Sequence, residues 1–372
     1  MKRVLLVGGA SGGHAMPLLA VGEAVERQTK ATNQTVELFF LGIGDYLAEP
    51  VRAAGWNFRS LLAGKVRTYF SPQIPVDYLK MFLGFFHALW RLFWIMPDAV
   101  FAKGGYDTVW PVFWAKLFAI PVYLHESDAI PGRANRLLAR FADHIFLAFA
   151  GAASYFPGKT TMVVGNPVRS AVLQGDRASA LTAFKFSDLP TVLVLGGSQG
   201  AANINNLILV ALAEMTKSWQ VIHQTGVNNF AKVDELVKRQ IKEGSESYGQ
   251  IIQARYRSVA FLNEAELAQA YAAADVIVAR GGAALLFEIA ALGKPAIIIP
   301  IKNSASNHQY ANAVEFAKFG GVLLEEDNLT PHILLNELRK VFEQRVEIGQ
   351  KIKAFASLGA ADKIAVKLLG LN

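Results

Sequence analysis

The chain of 372 residues contains no cysteine, which excludes disulfides, thiolate zinc sites and cysteine nucleophiles and fits a reducing compartment. Charged residues are sparse at 18% against 52% hydrophobic, so the chain is globular and not disordered. No stretch is low-complexity. There is no dense Lys/Arg run and no recognisable nucleic-acid motif, so nucleic acid is not an expected partner. The excess of basic groups, a formal charge of +7, favours nucleotides, pyrophosphates or acidic lipid head groups instead. A long apolar run is also missing behind Met1-Lys2-Arg3. Four apolar residues give way to glycines, then His14 and Pro17, so a secretory signal is rejected and the protein is expected inside the cell.

What is present is organised around Val4 to Pro17, VLLVGGASGGHAMP. Val4 to Val7 suit a buried parallel strand, and the glycines allow a tight turn with close backbone approach. A helix is expected from near Pro17, because proline is pre-organised for a first turn. Strand, glycine loop and helix form either a cradle for an anion, where unpaired amide groups converge, or a turn whose glycines only permit packing. The dinucleotide fingerprint is broken, since Ala10 stands where its second glycine belongs, which disfavours an NAD-dependent oxidoreductase. His14 lies at the mouth, where helix-end positive charge favours a neutral imidazole able to accept a proton.

The length predicts two domains. Strands are expected at Val36 to Leu41, Ala99 to Ala102 and Pro121 to His125, with helices from Tyr46 to Ala54 and from about Trp110 to Phe118. This alternation predicts a doubly wound α/β domain with ligands at the carboxyl ends of its strands, where Gly8, Gly104 and Glu126 fall. A second opening of the same kind occurs at Thr191 to Leu195 with Gly196-Gly197-Ser198-Gln199-Gly200. Further strands are expected at Gln220 to His223, Tyr256 to Leu262, Asp275 to Ala279 and Ala296 to Pro300. Two similar α/β domains in tandem follow, residues 1–166 and 167–355, breaking near the turn-forming Gly165-Asn166-Pro167. The last helix, from about Ala361 within 356–372, is expected to cross back onto the first domain.

Val76 to Met96, VDYLKMFLGFFHALWRLFWIM, departs from the rhythm. It has the length of a bilayer span but carries Asp77, Lys80, His87 and Arg91. Lys80, His87 and Arg91 recur on one helical face, with aromatic and aliphatic residues elsewhere. That is the make-up of an interfacial helix with cations near head groups. A buried core helix and a true span are the competing readings.

Taken together and in order, GGASGGH (8–14), KGGY (103–106), HESD (125–128), GNPVR (165–169), GGSQG (196–200), HQTG (223–226), RGGAALLFE (280–288) and HQY (308–310) resemble the MurG family of peptidoglycan glycosyltransferases over nearly the whole chain. The resemblance implies the GT-B fold: two Rossmann-like, doubly wound parallel-sheet domains facing a central cleft. It implies an inverting enzyme that needs no metal and no cofactor for chemistry. Such an enzyme moves N-acetylglucosamine from UDP-GlcNAc to the C4 hydroxyl of a polyprenyl-pyrophosphate-linked muramyl peptide in cell-wall synthesis. The first domain would bind acceptor and membrane, the second the UDP-sugar.

Carried over by motif, the donor side takes in Ser11, Gly12, Gly13, Asp128, Arg169, Ser198, Leu262, Ala283, Ala284, Leu285, Glu288, His308 and Gln309. Amides at the helix opening by Ala283 and Ala284 would stabilise the departing diphosphate. Glu288 would accept from the ribose hydroxyls; without the resemblance it reads as a solvated helix charge. Ser198 would touch phosphate, and Arg169 and the backbone near Leu262 would read uracil. His308 and Gln309, in the loop after Pro300, would hold sugar hydroxyls.

On the acceptor side stand Ser11, Gly12, Gly13, His14 and Tyr106. His14 is the first candidate for general base and Glu126 the second, Glu126 reading equally as a helix-start carboxylate. Phe82, Phe85, Phe86, Trp90 and Phe93 would face the membrane. The expected partners are thus the lipid acceptor and an anionic membrane surface at the cytoplasmic face, with cell-wall and division proteins as further candidates.

The sequence departs from the family at Asp128 (usually Asn), Leu285 (usually Thr), Ser11 (for Thr) and His308-Gln309 (paired glutamines in some members). Asn263 to Gln269 is also longer than expected. Asp128 and Leu285 are either neutral or alter donor-sugar preference. Alternatives to the leading reading are another GT-B UDP-sugar transferase acting on a lipid such as diacylglycerol, and a non-catalytic nucleotide-sugar-binding membrane scaffold.

Overall fold

The first strand, β1 (Lys2–Val7), is buried on both faces from Val4 onward, as expected of a strand central to a covered parallel sheet. The computed structural model describes residues 1–9, 12–64, 72–197, 200–301, 307–356 and 359–371. They form two units, Met1–Arg169 with Ser357–Asn372, and Ser170–Ala356.

In the first unit β1 is followed by α1 (Gly12–Thr32), β2 (Val36–Gly42), α2 (Asp45–Ala53), β3 (Asn57–Ser60), α3 (Ile74–Ile95), β4 (Ala99–Ala102), α4 (Val109–Leu117), β5 (Val122–Glu126), α5 (Arg133–Leu138), β6 (His144–Leu147) and β7 (Thr161–Val163). The sheet order is β3-β2-β1-β4-β5-β6-β7, every pairing parallel. The second unit runs α6 (Arg177–Phe184), β8 (Thr191–Leu195), α7 (Ala202–Ser218), β9 (Gln220–Gln224), α8 (Phe230–Glu243), α9 (Glu246–Arg255), β10 (Tyr256–Val259), α10 (Glu264–Ala273), β11 (Val276–Ala279), α11 (Ala283–Leu292), β12 (Ala296–Ile298), α12 (His308–Ala317), β13 (Val322–Leu323), α13 (Pro331–Glu343) and α14 (Arg345–Lys353). Its parallel sheet is ordered β10-β9-β8-β11-β12-β13. Both orders turn back once, between β1 and β4 and between β8 and β11, and such switch points open crevices at the carboxyl ends of the strands.

The final helix, α15 (Ala360–Leu369), belongs to the first unit. Ile364, Ala365, Leu368 and Leu369 join the core beneath α1, and Asp362 accepts from Arg27 at 2.7 Å and from Gln28 at 3.1 Å. Helix α1 starts five residues earlier than the position of Pro17 suggests. Proline in a helix lacks the N–H that would reach the carbonyl four residues back. Here that carbonyl belongs to Gly13, which is exposed, so water can replace the lost bond. The stretch at Asn263 to Gln269 is the capped opening of α10. Asn263 accepts from the Glu266 N–H and Glu266 accepts from the Asn263 N–H, a reciprocal capping box.

Helix α3 presents Gly84, Ala88, Leu92 and Ile95 to the core and leaves the opposite side apolar and exposed. Phe82, Phe86, Trp90, Phe93 and Trp94 are 52–65% exposed. A wholly buried helix is thereby ruled out, and among the described residues no helix is long and apolar enough to cross a membrane. Two expectations about its faces need correction. Phe85 does not share the exposed row: it turns inward between Trp110 and Trp114, ring centroids 5.1 and 4.7 Å away, while its carbonyl accepts from the Trp114 indole at 2.9 Å. His87 does not share the cationic row with Lys80: its Nδ1 accepts the Leu62 N–H at 3.0 Å. Burial, and then the Arg91 charge, lowers the His87 pKa, so this ring is a neutral acceptor holding a loop.

Candidate active site

In the first unit the candidate residues gather at the carboxyl ends of the adjacent strands β1 and β4, the switch point of the sheet. Lys103, the residue after β4, donates its backbone N–H to the Val7 carbonyl at 3.1 Å. It is therefore pinned beside the Gly8 turn that leads into α1. His14 sits on the first turn of α1, half-buried. It bonds to the Gly104 backbone, while its Nδ1 has no hydrogen-bond partner among the described residues. Burial first, then the Lys103 charge, lowers its pKa to about 4. The imidazole is thus neutral at physiological pH, with a lone pair available.

Glu126 ends β5 and is buried. Its Oε1 accepts the Asp128 N–H at 2.8 Å, and its Oε2 accepts from the Asn135 amide at 2.9 Å and from the Gly132 N–H at 3.3 Å. The carboxyl therefore ties the strand end to α5. Burial, and then the neighbouring Asp128 carboxylate, pushes its pKa up to about 7. Gly104 has φ +92°, and a Cβ there would lie 2.0 Å from Asn135 Oδ1. Only glycine fits between Lys103 and that amide. His125 is fully buried and bonds the Gly165 carbonyl at 3.0 Å, so its role is structural. Asp128 is half-buried beside the cluster, and Tyr106 opens a single 3-10 turn, Tyr106–Thr108, in the same loop. Gly12 and Gly13 are the first residues of α1; Ser11 lies outside the described residues.

Two members of this cluster carry no expectation from sequence. Asn135 lies on a short helix well downstream. Lys103 stands inside the quoted KGGY motif, where a cation directly behind the apolar strand Ala99–Ala102 was the available signal. It is only 1% exposed.

In the second unit Gly196 and Gly197 follow β8, and Ser198 lies outside the described residues. Gln224, at the end of β9, donates to the Gly197 carbonyl at 3.3 Å and accepts the Leu262 N–H at 3.1 Å. The Leu262 amide is thus already engaged by the protein. Helix α11 opens behind Gly282 with no side-chain cap, placing the amides of Ala283, Ala284 and Leu285 in its first turn. That is the positive end of a helix. Glu288 follows on the same helix at 8% exposure and accepts the Tyr271 hydroxyl at 2.8 Å. It is no solvated surface charge. Tyr271, on α10, is a further residue that sequence reasoning missed, because it reaches Glu288 from another helix, 17 positions away in the chain.

Arg280, at the end of β11, pairs with Glu326 at 2.5 Å and donates to the Ile299 carbonyl at 3.0 Å, locking the loop in front of α11. A Cβ on Gly281 would lie 2.3 Å from the Gln309 carbonyl, so the bare glycine lets α12 approach the loop in front of α11. His308 and Gln309 stand on the first turn of α12 rather than in a loop. The Gln309 side chain accepts the Ile301 N–H at 3.2 Å, which fixes its orientation. Arg169 closes the first unit and is buried. Among the described residues no group of three or more His, Asp or Glu could hold a metal ion.

Residues 4–147 match the glycosyltransferase family 28 N-terminal domain and residues 191–366 the C-terminal domain of that family. The chain is 35% identical, over 99% of both chains, to the UDP-N-acetylglucosamine--N-acetylmuramyl-(pentapeptide) pyrophosphoryl-undecaprenol N-acetylglucosamine transferase of Shouchella clausii. It is 36% identical to the protein of the same name from Legionella pneumophila strain Lens, over 97% of this chain and 94% of that one. Its fold superposes on the crystal structure of Acinetobacter baumannii MurG with a TM-score of 0.73 at 22% identity, covering both chains completely. Both domain matches and the full-length likeness to these transferases place the chain in the MurG family of GT-B glycosyltransferases.

Proposed function

We propose that the protein transfers N-acetylglucosamine from UDP-N-acetylglucosamine to the C4 hydroxyl of a polyprenyl-pyrophosphate-linked muramyl peptide, with inversion. The observation that carries this reading is the neutral His14, whose Nδ1 lone pair is unused among the described residues, at the α1 opening of a chain similar end to end to such transferases. His14 takes the hydroxyl proton as that oxygen attacks the anomeric carbon. The bond to UDP breaks, and the electron pair leaves with the diphosphate, which the first-turn amides of α11 stabilise. Glu288, oriented by Tyr271, accepts from the ribose hydroxyls. Glu126 positions the loop through Asp128 to Asn135, and Gly12, Gly13 and Tyr106 seat the acceptor. The test is turnover of UDP-N-acetylglucosamine with a short-chain lipid acceptor, read by mass spectrometry. Transfer to diacylglycerol instead, or binding of donor without turnover, would replace this reading.

In the same reading the exposed aromatic row of α3 faces the membrane, and the protein works peripherally at its cytoplasmic face. An apolar stripe beside cations suits an anionic interface. The protein is expected to sediment with anionic vesicles, less so at high salt, because Lys80 acts through a screened field. Replacing Phe82, Phe86 and Trp90 together by Ser should abolish sedimentation and leave UDP binding unchanged. Phe85 is excluded from this set because its ring is part of the α3–α4 packing. Sedimentation that survives the triple change would move the membrane contact elsewhere.

A further inference from the structure

Lys103 stands out among the buried groups that the mechanism does not use. It is 1% exposed, and its ammonium has no hydrogen-bond partner among the described residues. Burying an ammonium without hydrogen bonds is costly, and a lysine in such a place ordinarily gives up its proton. Here burial does push the pKa down, but the Glu126 and Asp128 carboxylates oppose the shift. Those carboxylates favour the charge without capping it. Glu126 spends its oxygens on the Asp128 and Gly132 amides and on Asn135. The side chain leaves the sheet at the switch point. Its Cβ lies 3.4 Å from where a Cβ on Gly8 would be, and its charge is felt at His14 on the first turn of α1. A buried cation thus lies beside the Gly8 turn that leads into a 21-residue helix, whose first amides favour negative charge.

We propose that Lys103 is a substrate-binding residue whose ammonium contacts the pyrophosphate of the lipid-linked acceptor. This rests on the transferase reading above. The acceptor supplies the oxygens that the ammonium's N–H groups lack, and the same contact places the anionic end of the acceptor beside His14. The two carboxylates keep the lysine protonated between turnovers, and they repel an anion that the ammonium does not hold. Lys103 thereby sets preference for an acceptor with a diphosphate over a neutral lipid. It differs from His14 in role: it holds the acceptor and moves no proton.

The experiment compares the full-length protein with Lys103→Met and Lys103→Arg. Calorimetry measures binding of inorganic pyrophosphate and of UDP, and steady-state kinetics use a short-chain polyprenyl-pyrophosphoryl muramyl peptide. Lys103→Met should weaken pyrophosphate binding and raise the acceptor KM by about 10- to 100-fold, the span of a lost charge-assisted bond. UDP affinity should stay within about twofold and kcat at saturating acceptor within a few-fold. Lys103→Arg should recover most of the loss, since a cation is kept. Unchanged pyrophosphate affinity in a folded Lys103→Met protein overturns the proposal. So does a loss confined to UDP, which would assign the ammonium to the donor diphosphate. Absence of turnover in the unaltered protein would instead fail the transferase reading, while the pyrophosphate titration would still decide Lys103. Should Lys103→Met not fold, Lys103→Gln carries the same comparison.

Discussion

Replacing His14 by Ala lowers kcat by about 10²–10⁴, the usual span for a lost general base, and leaves donor Kd unchanged. The shape of the pH profile matters as much as the size of the loss. A base works only when unprotonated, so the rate falls as pH drops through its pKa. Burial and the Lys103 charge hold His14 at about 4, well below the ordinary imidazole value of about 6.5. The rate of the unaltered enzyme is therefore flat through neutrality and falls only in acid. Glu126, pushed up to about 7 by burial and Asp128, would put the falling limb near neutrality instead. A limb there that survives in His14→Ala assigns the base to Glu126. A limb in acid that disappears with the histidine assigns it to His14. If His14 only seats the acceptor, saturating acceptor restores most of kcat.

Glu288→Ala raises the donor KM by roughly 10- to 150-fold, corresponding to about 1.5–3 kcal/mol for hydrogen bonds to a charged acceptor. The position makes the effect large. Glu288 is 8% exposed, so water competes poorly for the ribose hydroxyls. Tyr271 fixes its Oε2 at 2.8 Å, so little ordering is required when the donor arrives. Tyr271→Phe keeps the carboxylate and removes its guide, and should weaken UDP binding only a few-fold, the scale of a single neutral hydrogen bond. Calorimetry with UDP reads both variants, and unchanged affinity in Glu288→Ala removes this residue from the donor site.

Much of the fold was legible because local patterns carry it. Buried strands such as Val4 to Val7 and Thr191 to Leu195 are short apolar runs that break at glycines, and helices with polar faces alternate with them. The edge strands of the first sheet were not legible. Asn57–Ser60 and Thr161–Val163 are short and half-exposed, and pairing with a neighbour, not their own composition, makes them strands. The start of α1 was misplaced for a related reason: Pro17 reads as a first-turn residue, but the exposed Gly13 lets it sit inside the helix.

The sequence by itself determined two parallel α/β units, each with a glycine turn behind its central strand, the family, and the candidates His14 and Glu288. The units and His14 rest on residues close together in the chain, while the family, and Glu288 with it, rests on short motifs kept in order along nearly all of it. Only the tertiary structure decided what those groups meet. Phe85 and His87 turn inward because α4 and the loop at Leu62 pack on α3, although the helix alone gives them outward-looking spacing. Glu288 is buried and meets Tyr271, which comes to it from another helix. Lys103, Glu126 and Asn135 meet because β4 and β5 lie side by side in the sheet, and sheet neighbours are set by chain crossovers that local pattern does not encode. Burial then sets the charge of each group. An imidazole titrating near neutrality in a free peptide becomes a neutral acceptor here because the surrounding protein removes the water that would stabilise its cation.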